Sequence, residues 1–416
     1  MRIAIIGSGI AGNTIAYHLQ REHDITVFEA GSHIGGHTHT HDIELDGRRH
    51  AVDTGFIVFN DRTYPNFIAL LDELGVAWQP SHMSFSVRCE KTGLEYNGTN
   101  LNALFAQRRN LLRPAFYRMI QDILRFNRQA LELLAEGPEI RLGDYLAQNG
   151  YGQDFIDYYI IPMGSAIWST EARQMLQFPA RFFVRFFHHH GMLTVNDRPQ
   201  WRVIRGGSAS YVEALTAGFR DRIRLNTPVA EVRRLKRSVR VKPVGGVEES
   251  FDWVFFACHS DQALAMLKDP SAAEREVLGA IPYQENSIYL HTDRSLLPKR
   301  KLAWAAWNYH VTAKPLDRVA VTYNMNILQG LDAREQILVT LNHTDHINPA
   351  KVIKRLTYHH PVYTTAGTLA QARHGEISGI NRTAYCGAYW RNGFHEDGVV
   401  SALAALRHFR EATAGA

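Results

Sequence analysis

The stretch Gly7-Ser8-Gly9-Ile10-Ala11-Gly12 lies between a short apolar run, residues 3–6, and a helical pattern over residues 13–22. Glycines in this spacing permit a tight turn, a close approach of the backbone to a phosphate, and close packing of the helix on the strand. The helix N-terminus adds unpaired N–H groups and a partial charge of about +0.5. The stretch therefore predicts a strand–turn–helix unit that binds the pyrophosphate of a dinucleotide.

Glu29 ends a second predicted strand, over residues 25–29, and stands 22 residues after Gly7. A carboxylate at this position can accept hydrogen bonds from ribose hydroxyls and repels a 2′-phosphate. These properties favour FAD or NAD over NADP. A glycine turn in an ordinary α/β protein and a methyltransferase loop are the alternatives, and the agreement of turn, helix and acidic residue argues against both.

The chain continues from Glu29 as Ala30-Gly31-Ser32-His33-Ile34-Gly35-Gly36-His37-Thr38. Here it resembles the FAD-dependent amine oxidase and phytoene desaturase superfamily, in which an acidic residue and a double glycine continue the dinucleotide fold and touch the cofactor. Further segments follow in the family's order: Asp53-Thr54-Gly55, Thr227-Pro228-Val229, Gly387 and Glu396-Asp397-Gly398-Val399. The resemblance therefore implies FAD rather than NAD.

The resemblance also implies roles for single residues. By it, the backbone of Val229 holds the adenine, and a helix that begins near Gly398 points its N-terminus at the flavin pyrimidine, where the dipole favours an anionic reduced flavin. The residues expected to contact FAD are Gly7, Ser8, Gly9, Ile10, Ala11, Gly12, Glu29, Ala30, Gly35, Gly36, His37, Thr38, Gly55, Val229, Gly387, Asp397, Gly398 and Val399.

The chain departs from the family pattern at three places. The family places arginines around the double glycine, where this chain has His33 and His37. The acidic residue that usually follows the C-terminal glycine is replaced by Ala388-Tyr389. Some amine oxidases attach flavin through a cysteine, but Cys386 stands at a different point of the pattern, so we expect non-covalent FAD.

The distribution of these segments predicts an α/β fold, with a Rossmann-like FAD-binding domain and an inserted mixed α+β substrate domain. The FAD-binding domain is expected to be discontinuous, over residues 1–75, 200–265 and 375–416. Residues 76–199 and 266–374 then form the substrate-binding domain. At 416 residues the chain exceeds the size at which one hydrophobic core usually stops growing, which fits two domains.

His395 is the candidate catalytic residue. In amine oxidases an aromatic residue two positions before the last acidic residue helps to form a cage around the substrate amine, and the same count from Asp397 leads to His395. An imidazole has an unperturbed pKa near neutrality and can transfer protons. The alternative role, a hydrogen bond to cofactor or backbone, stays open.

A phenylalanine-rich segment predicts an amphipathic helix. Its aromatic residues Phe182, Phe183, Phe186 and Phe187 recur on one helical face, with Arg181 and Arg185 opposite. Such a face packs on a core, or it forms a hydrophobic entrance for acyl chains or a surface on lipid, aided by an arginine-rich helical pattern over residues 108–135. No metal site is expected at residues 188–190, because consecutive histidines do not share one helix face.

Composition limits the partners and the compartment. The formal net charge of +5 is modest for this length and does not indicate nucleic acid binding. Three cysteines, far apart and without a C-x-x-C pair, argue against disulfides and zinc and suit the reducing cytoplasm. We also expect neither export nor a membrane span, since no signal-peptide core and no apolar run of about 18 residues is present.

The expected activity is that of a FAD-dependent oxidoreductase, a dehydrogenase, desaturase or oxidase, that removes hydride from a largely apolar substrate such as a lipid acyl chain. Two alternatives remain: an amine oxidase that releases hydrogen peroxide, and a non-catalytic FAD-binding scaffold. The expected partners are a small-molecule or lipid substrate and, at the periphery, the membrane surface.

Overall fold

The computed structural model describes residues 1–135, 137–314 and 316–414. Its strands are β1 (Arg2–Ile6), β2 (Asp24–Phe28), β3 (Thr40–Leu45), β4 (Arg48–Asp53), β5 (Val58–Asn60), β6 (Trp78–Pro80), β7 (Phe85–Cys89), β8 (Glu95–Asn97), β9 (Trp201–Ile204), β10 (Ile223–Arg224), β11 (Val229–Arg234), β12 (Val239–Pro243), β13 (Glu249–Phe251), β14 (Trp253–Phe256), β15 (Tyr283–His291), β16 (Trp307–Val311), β17 (Val321–Asn324), β18 (Leu338–Leu341), β19 (Val352–Pro361) and β20 (Thr383–Tyr385).

The α-helices are α1 (Ile10–Leu19), α2 (Pro65–Glu73), α3 (Leu101–Leu104), α4 (Pro114–Gln129), α5 (Leu142–Gln148), α6 (Gln153–Phe155), α7 (Ile161–Trp168), α8 (Ala172–Leu176), α9 (Ala180–His189), α10 (Ala209–Thr216), α11 (Ser260–Met266), α12 (Ala272–Gly279), α13 (Met325–Leu328), α14 (Thr365–Gln371), α15 (His374–Ile377) and α16 (His395–Thr413). Within the described ranges, none of them combines the length and the apolar character that crossing a bilayer requires.

A five-stranded parallel sheet lies at the centre of the nucleotide-binding half, in the order β10-β2-β1-β14-β20. Its central strand β1 reads Ile3-Ala4-Ile5-Ile6, and the first three of these residues have no exposed surface. A parallel sheet covered on both faces needs such a continuous apolar run. Helices α1 and α16 pack on one face, with Ile15 and Phe409 in that core. The predicted Rossmann-like α/β fold is confirmed.

A seven-stranded mixed sheet forms the second half, in the order β19-β15-β18-β17-β16-β7-β8. Strands β7 and β16 pair in parallel, and the other neighbours are antiparallel. The helices between residues 114 and 189 share one core with this sheet. The predicted domain boundaries stay a prediction, although each sheet draws its strands from several separate stretches of the chain.

Two helical predictions are refined by the structure. The pattern over residues 108–135 is a 3-10 turn (Arg108–Leu112), helix α4 and a second 3-10 turn (Ala130–Leu134), because Pro114 lacks an N–H and begins a new helix. In α9, Phe183, Phe186 and Phe187 are buried. These side chains are therefore core residues, and reading them as a lipid-facing surface is wrong.

Candidate cofactor and active site

The glycine turn lies where the chain leaves β1 and enters α1, at the carboxyl edge of the parallel sheet. The Gly7 N–H donates to the Phe28 carbonyl (2.8 Å), which ties the turn to β2. A Cβ on Gly12 would stand 2.0 Å from the Gly7 carbonyl oxygen, whereas a Cβ on Gly9 would meet no atom within 4 Å. Gly12 thus serves packing, and Gly9 keeps open the space that a phosphate takes at a helix N-terminus.

The Glu29 carboxylate closes the turn from the β2 side. One of its oxygens accepts from the Ser8 N–H (2.8 Å) and hydroxyl (2.6 Å), and the other accepts from the Gly31 N–H (2.7 Å). The oxygen that accepts from Gly31 keeps a second lone pair, so a ribose hydroxyl can be added to this set. The Glu29 carbonyl accepts from the Thr227 N–H (2.8 Å), which places the start of β11, with Val229, close to this carboxylate. Ala30 is exposed beside it.

The double glycine lies directly over the turn. The Gly35 N–H donates to the Ser8 carbonyl (2.9 Å), and a Cβ on Gly36 would stand 3.1 Å from the Gly9 Cα. Gly35 and Gly36 have φ values of +127° and +60°, a region that other residues rarely adopt. A side chain at Gly36 would therefore push the loop away from the turn, and one at Gly35 would meet the Thr38 carbonyl oxygen at 2.6 Å.

His37 follows the double glycine and is enclosed by protein. Its carbonyl accepts from the Phe56 N–H (2.7 Å), and a Cβ on Gly55 would stand 2.0 Å from that oxygen. Burial lowers the pKa of His37 to about 4, so the ring is neutral near pH 7. Its Nε2 has no hydrogen-bond partner among the described residues. An unpaired buried polar atom beside a phosphate-type turn fits a bound group as its partner.

Two helix N-termini meet at this edge. Helix α16 begins at His395, and a Cβ on Gly398 would stand 2.6 Å from Cγ2 of Ile10 in the first turn of α1. Gly387, just after β20, donates its N–H to the Ser401 hydroxyl (2.8 Å) inside the same junction. The predicted contact residues buried here are Ile10, Ala11, Thr38 and Val399. Both helices direct partial positive charge to the edge, which favours an anionic group there.

Asp397 and Glu396 hold the chain in front of α16. Asp397 accepts from the N–H groups of Phe394 (2.9 Å) and Asn392 (3.2 Å), and Glu396 accepts from two N–H groups at the start of α2 (2.9 and 3.1 Å). Burial raises the pKa of Asp397 to about 7. The Asp397 carboxylate is therefore used to cap its own helix, which is a positioning role.

His395 is enclosed in a hydroxyl network. Its ring stacks on Phe56 with centroids 3.6 Å apart, and its Nε2 lies 2.6 Å from the Tyr211 Oη and 3.1 Å from the Thr38 Oγ1. Burial holds the pKa of His395 well below its usual value. A neutral ring with Nε2 already engaged favours the hydrogen-bonding role over proton transfer. Any catalytic role of His395 stays a prediction.

A wall of histidines faces the double glycine, and the sequence motifs did not predict it. This histidine wall consists of His33, His37, His39, His41, His259 and His360. The rings of His33 and His39 stack at 3.8 Å, and those of His39 and His41 lie 4.1 Å apart. His37 reaches His360 at 5.3 Å and His259 at 6.5 Å. Histidine at 37, 39 and 41 was the available signal, but only the sheet brings His259 and His360 to it.

Five rings of the histidine wall, those of His37, His39, His41, His259 and His360, are uncharged near neutral pH. Burial lowers the pKa to about 4 for His37, His41 and His259 and to about 3 for His39 and His360. Neutral imidazoles can each donate one hydrogen bond but do not balance a pyrophosphate's charge. At His37, where the family has an arginine, charge compensation therefore falls to backbone N–H groups and helix dipoles.

Asp53 joins several segments beneath the site. It accepts from the Thr40 hydroxyl (2.6 Å), from the Ser208 N–H (2.9 Å) and hydroxyl (2.8 Å), and from the Gln329 side-chain amide (3.0 Å). Burial raises the pKa of Asp53 to about 6. Ser208 follows Gly206-Gly207 in the chain. The Asp53 carboxylate therefore holds this segment against β3 and β4.

Metal and thiol groups contribute little to the site. Among residues 1–135, 137–314 and 316–414, no group of three or more His, Cys, Asp or Glu side chains could hold a metal ion. His188 and His189 are exposed while His190 is buried, so the three do not converge. Cys386 is a free, buried thiol, and burial raises its pKa.

An aromatic cluster packs against the loop before α16. We define it as Trp168, Phe178, Phe182, Phe186, Tyr363 and Phe394. The Trp168 Nε1–H donates to the Asn392 carbonyl (3.3 Å). Phe186 stacks on Phe394 and Phe182 stacks on Tyr363, each pair at 5.0 Å. The approach to the N-terminus of α16 from this side is therefore apolar.

A cavity of about 610 Å³ opens to solvent beside the aromatic cluster. Arg141 and Arg318 are exposed residues of its lining, and Tyr363 is its buried residue. Its volume is within the range of small-molecule sites. Tyr363 also stacks on Phe182, so the cavity meets the aromatic cluster at this one residue.

Comparison with known proteins defines the class. A model of the flavin-containing amine oxidoreductase family matches residues 10–337, and the chain belongs to this family. The protein is accordingly a FAD-dependent oxidoreductase. The comparison with curated proteins gives no match.

Solved structures share the fold over almost the whole chain. A protein from Exiguobacterium sp. 255-15 assigned as a protoporphyrinogen oxidase has a TM-score of 0.71 at 18% identity, covering 99% of this chain and 98% of its own. A fatty acid isomerase from P. acnes that produces CLA has 0.70 at 18%, covering 98% of each chain. Cyclohexylamine oxidase from Brevibacterium oxydans IH-35A has 0.70 at 14%, covering 99% of each.

Proposed function

We propose that this oxidoreductase removes hydride from a largely apolar substrate, a lipid acyl chain. The observation that carries the proposal is the aromatic cluster against the loop that leads into α16, of which Tyr363 also lines the 610 Å³ cavity. The fold it shares with the fatty acid isomerase is compatible with such a substrate. When bound, FAD supplies the redox chemistry, the acceptance of hydride at the flavin.

We assign the cofactor site to the carboxyl edge of the parallel sheet, with FAD held non-covalently. Gly7, Ser8 and Gly9 with the start of α1 would hold the pyrophosphate, Glu29 and Ala30 the ribose, and Val229 the adenine. Residues 35–38 with Gly55 would line the flavin side. The remaining assigned residues are Ile10, Ala11, Gly12, Gly387, Asp397, Gly398 and Val399. The open space at Gly9 and the unpaired Nε2 of His37 support this assignment.

The protein's own residues have mainly binding and positioning tasks in this proposal. The aromatic cluster excludes water and holds an alkyl chain, and the network of Thr38, Tyr211 and His395 fixes the start of α16. After hydride removal at one carbon, a proton on the neighbouring carbon must pass to water or a base for an alkene to form, and the neutral, engaged His395 is not assigned that role. The free Cys89, Cys258 and Cys386 support a reducing compartment, the cytoplasm.

Anaerobic reduction of the flavin tests the substrate class. We expect acyl lipids to bleach the flavin absorption, and amines to leave it unchanged. Bleaching by primary or secondary amines, with peroxide formed in air, would establish the amine oxidase, to which the family and the cyclohexylamine oxidase fold also point. A flavin that dithionite reduces but that no tested lipid or amine reduces would support the non-catalytic scaffold.

A variant in the aromatic cluster locates the substrate. Phe182 is half-buried behind Tyr363, so Phe182→Ser should fold and place a hydroxyl inside the aromatic cluster. We expect KM for an acyl substrate to rise at least about tenfold, since burying an aromatic side chain is worth roughly 1.5–3 kcal/mol. Reduction by dithionite should be unchanged. Unaltered KM would place the substrate elsewhere.

A further inference from the structure

Exposed apolar side chains are concentrated in one segment of the helical region, and Leu111, Leu112 and Tyr117 of this segment line a common surface depression. The described residues include sixteen large apolar side chains classed as exposed, and six of them lie between residues 101 and 131. They are Leu101 (75% exposed), Leu111 (47%), Leu112 (87%), Tyr117 (41%), Leu124 (44%) and Leu131 (40%). Single exposed leucines are ordinary, but a group of this kind usually marks an interaction site.

Hydrogen bonds fix the backbone that carries the exposed Leu111 and Leu112. Tyr117 donates its hydroxyl to the Leu111 carbonyl (3.1 Å), and Arg108 donates to the carbonyls of Asn102 (3.2 Å) and Phe105 (2.8 Å). These bonds fix the 3-10 turn that carries Leu111 and Leu112. The two leucines therefore stay exposed although their backbone is anchored.

Helix α4 continues the same surface. Tyr117, Leu124 and Arg128 follow one another at helical spacing on its outer face, while Phe116, Met119 and Phe126 on the other face are buried in the core. The helix has thus satisfied its core contacts. The apolar residues on the outer face are not part of the hydrophobic core.

Arginines surround these apolar residues. Residues 98–131 contain six arginines and one acidic residue, Asp122. Asp122 pairs with Arg125 (3.0 Å), and no ion pair of the described chain includes any of the other five. Those five are Arg108, Arg109, Arg113, Arg118 and Arg128. The surface therefore combines protruding leucines with uncompensated positive charge.

We propose that this leucine–arginine surface, residues 101–131, docks on a bilayer that contains anionic phospholipids. Protruding apolar tips can enter the acyl boundary while the surrounding arginines contact lipid phosphates, and each arginine near an anionic surface strengthens binding roughly fivefold. A second copy of the chain is a poor occupant, because the same positive charge would face itself. The inference does not depend on the substrate.

Vesicle sedimentation of the flavin-loaded full chain tests the docking. We compare phosphatidylcholine vesicles with vesicles that also contain phosphatidylserine. The apolar variant is Leu111→Ser with Leu112→Ser, and its control is Val244→Ser with Val247→Ser, two valines 62% and 83% exposed elsewhere. The charge variant is Arg118→Gln with Arg128→Gln. Its control is Lys236→Gln with Arg237→Gln, two exposed residues in a separate basic stretch of the chain, residues 233–240.

Wild type should bind the phosphatidylserine vesicles at least about tenfold more tightly than phosphatidylcholine, and salt should weaken that binding. The apolar variant should lose about tenfold or more, and the charge variant about 25-fold at low salt on the anionic vesicles, both with unchanged unfolding midpoints. Equal losses in the control pairs, no wild-type binding, or leucine substitutions that alter only self-association would each overturn the docking proposal.

Discussion

On one side of the cofactor edge the chain presents backbone and almost no side chains, since Gly9 and Gly36 leave their N–H groups without a partner among the described residues. On the other side the histidine wall fills the surface with imidazole rings. On the glycine side, ligand binding depends on the space that the missing side chains leave open. The histidine side depends on rings that must remain neutral, so the two sides should respond to different perturbations.

The largest effect is expected from the glycine that serves packing. A Cβ at Gly12 would stand 2.0 Å from the Gly7 carbonyl oxygen and 3.1 Å from the Ala257 Cβ, so Gly12→Ala should cost about 3 kcal/mol or more of unfolding free energy. Urea unfolding of the apo protein measures it.

Gly9→Ala is the matched control on the same turn. Its Cβ meets no protein atom, and Gly9 has φ −69°, which alanine adopts freely. Apo stability should change by less than about 0.5 kcal/mol, while FAD binding weakens at least about tenfold. Equal stability losses in the two variants would show that the turn does not separate packing from binding.

The histidine wall predicts a loss of apo stability at acid pH. Its buried rings have folded pKa values of about 3 to 4, below the unfolded value near 6.5, so their contribution is present above pH 6.5 and is lost as pH falls toward 4. Each ring can lose up to about 1.4 kcal/mol per pH unit in that window.

Asp53 and Asp397 titrate in the opposite sense. Their folded pKa values of about 6 and 7 lie above the unfolded value, so protonation favours the folded state as pH falls. Because five histidine rings lower the unfolding free energy as pH falls and these two carboxyl groups raise it, we expect a net loss of stability. Urea midpoints between pH 7 and pH 4.5 measure it, and replacing His39 and His360 by glutamine should flatten the slope. A stability that rises toward acid would contradict a neutral wall.

Glu29 lies between the two sides and should give an intermediate effect. Glu29→Gln removes a charge that accepts three hydrogen bonds from Ser8 and Gly31, so we expect a loss of about 2 kcal/mol in stability together with weaker FAD binding. Ser8→Ala, which removes only the hydroxyl contact, should cost about half as much. Thermal unfolding and FAD fluorescence titration measure the two quantities separately.

The smallest effect is expected at His37. Because its Nε2 has no protein partner, His37→Phe should change apo stability by less than about 1 kcal/mol. The rise in Tm on adding FAD should be smaller than in wild type if this nitrogen contacts the cofactor. An unchanged rise would remove His37 from the cofactor site.

The amphipathic helices α9 and α4 show that a sequence pattern can predict a helix without predicting whether its apolar face is buried. Helices α9 and α4 both carry apolar residues on one face and arginines on another. Phe183 and Phe187 of α9 are fully buried, whereas Leu124 of α4 and the preceding Leu112 are exposed. Periodicity predicted both helices, but it does not say what covers an apolar face.

Features that depend on local geometry could be predicted from the order of residues. The glycine turn, the strand before it and Glu29 after it lie within 29 residues, and their spacing predicts a dinucleotide fold because strand, turn and helix N-terminus are continuous in the chain. Tertiary structure alone decided the histidine wall, the network of Tyr211 and His395, and the exposure of Leu112. Those features join residues far apart in the chain, and their burial and pKa values arise only when the sheets pack together.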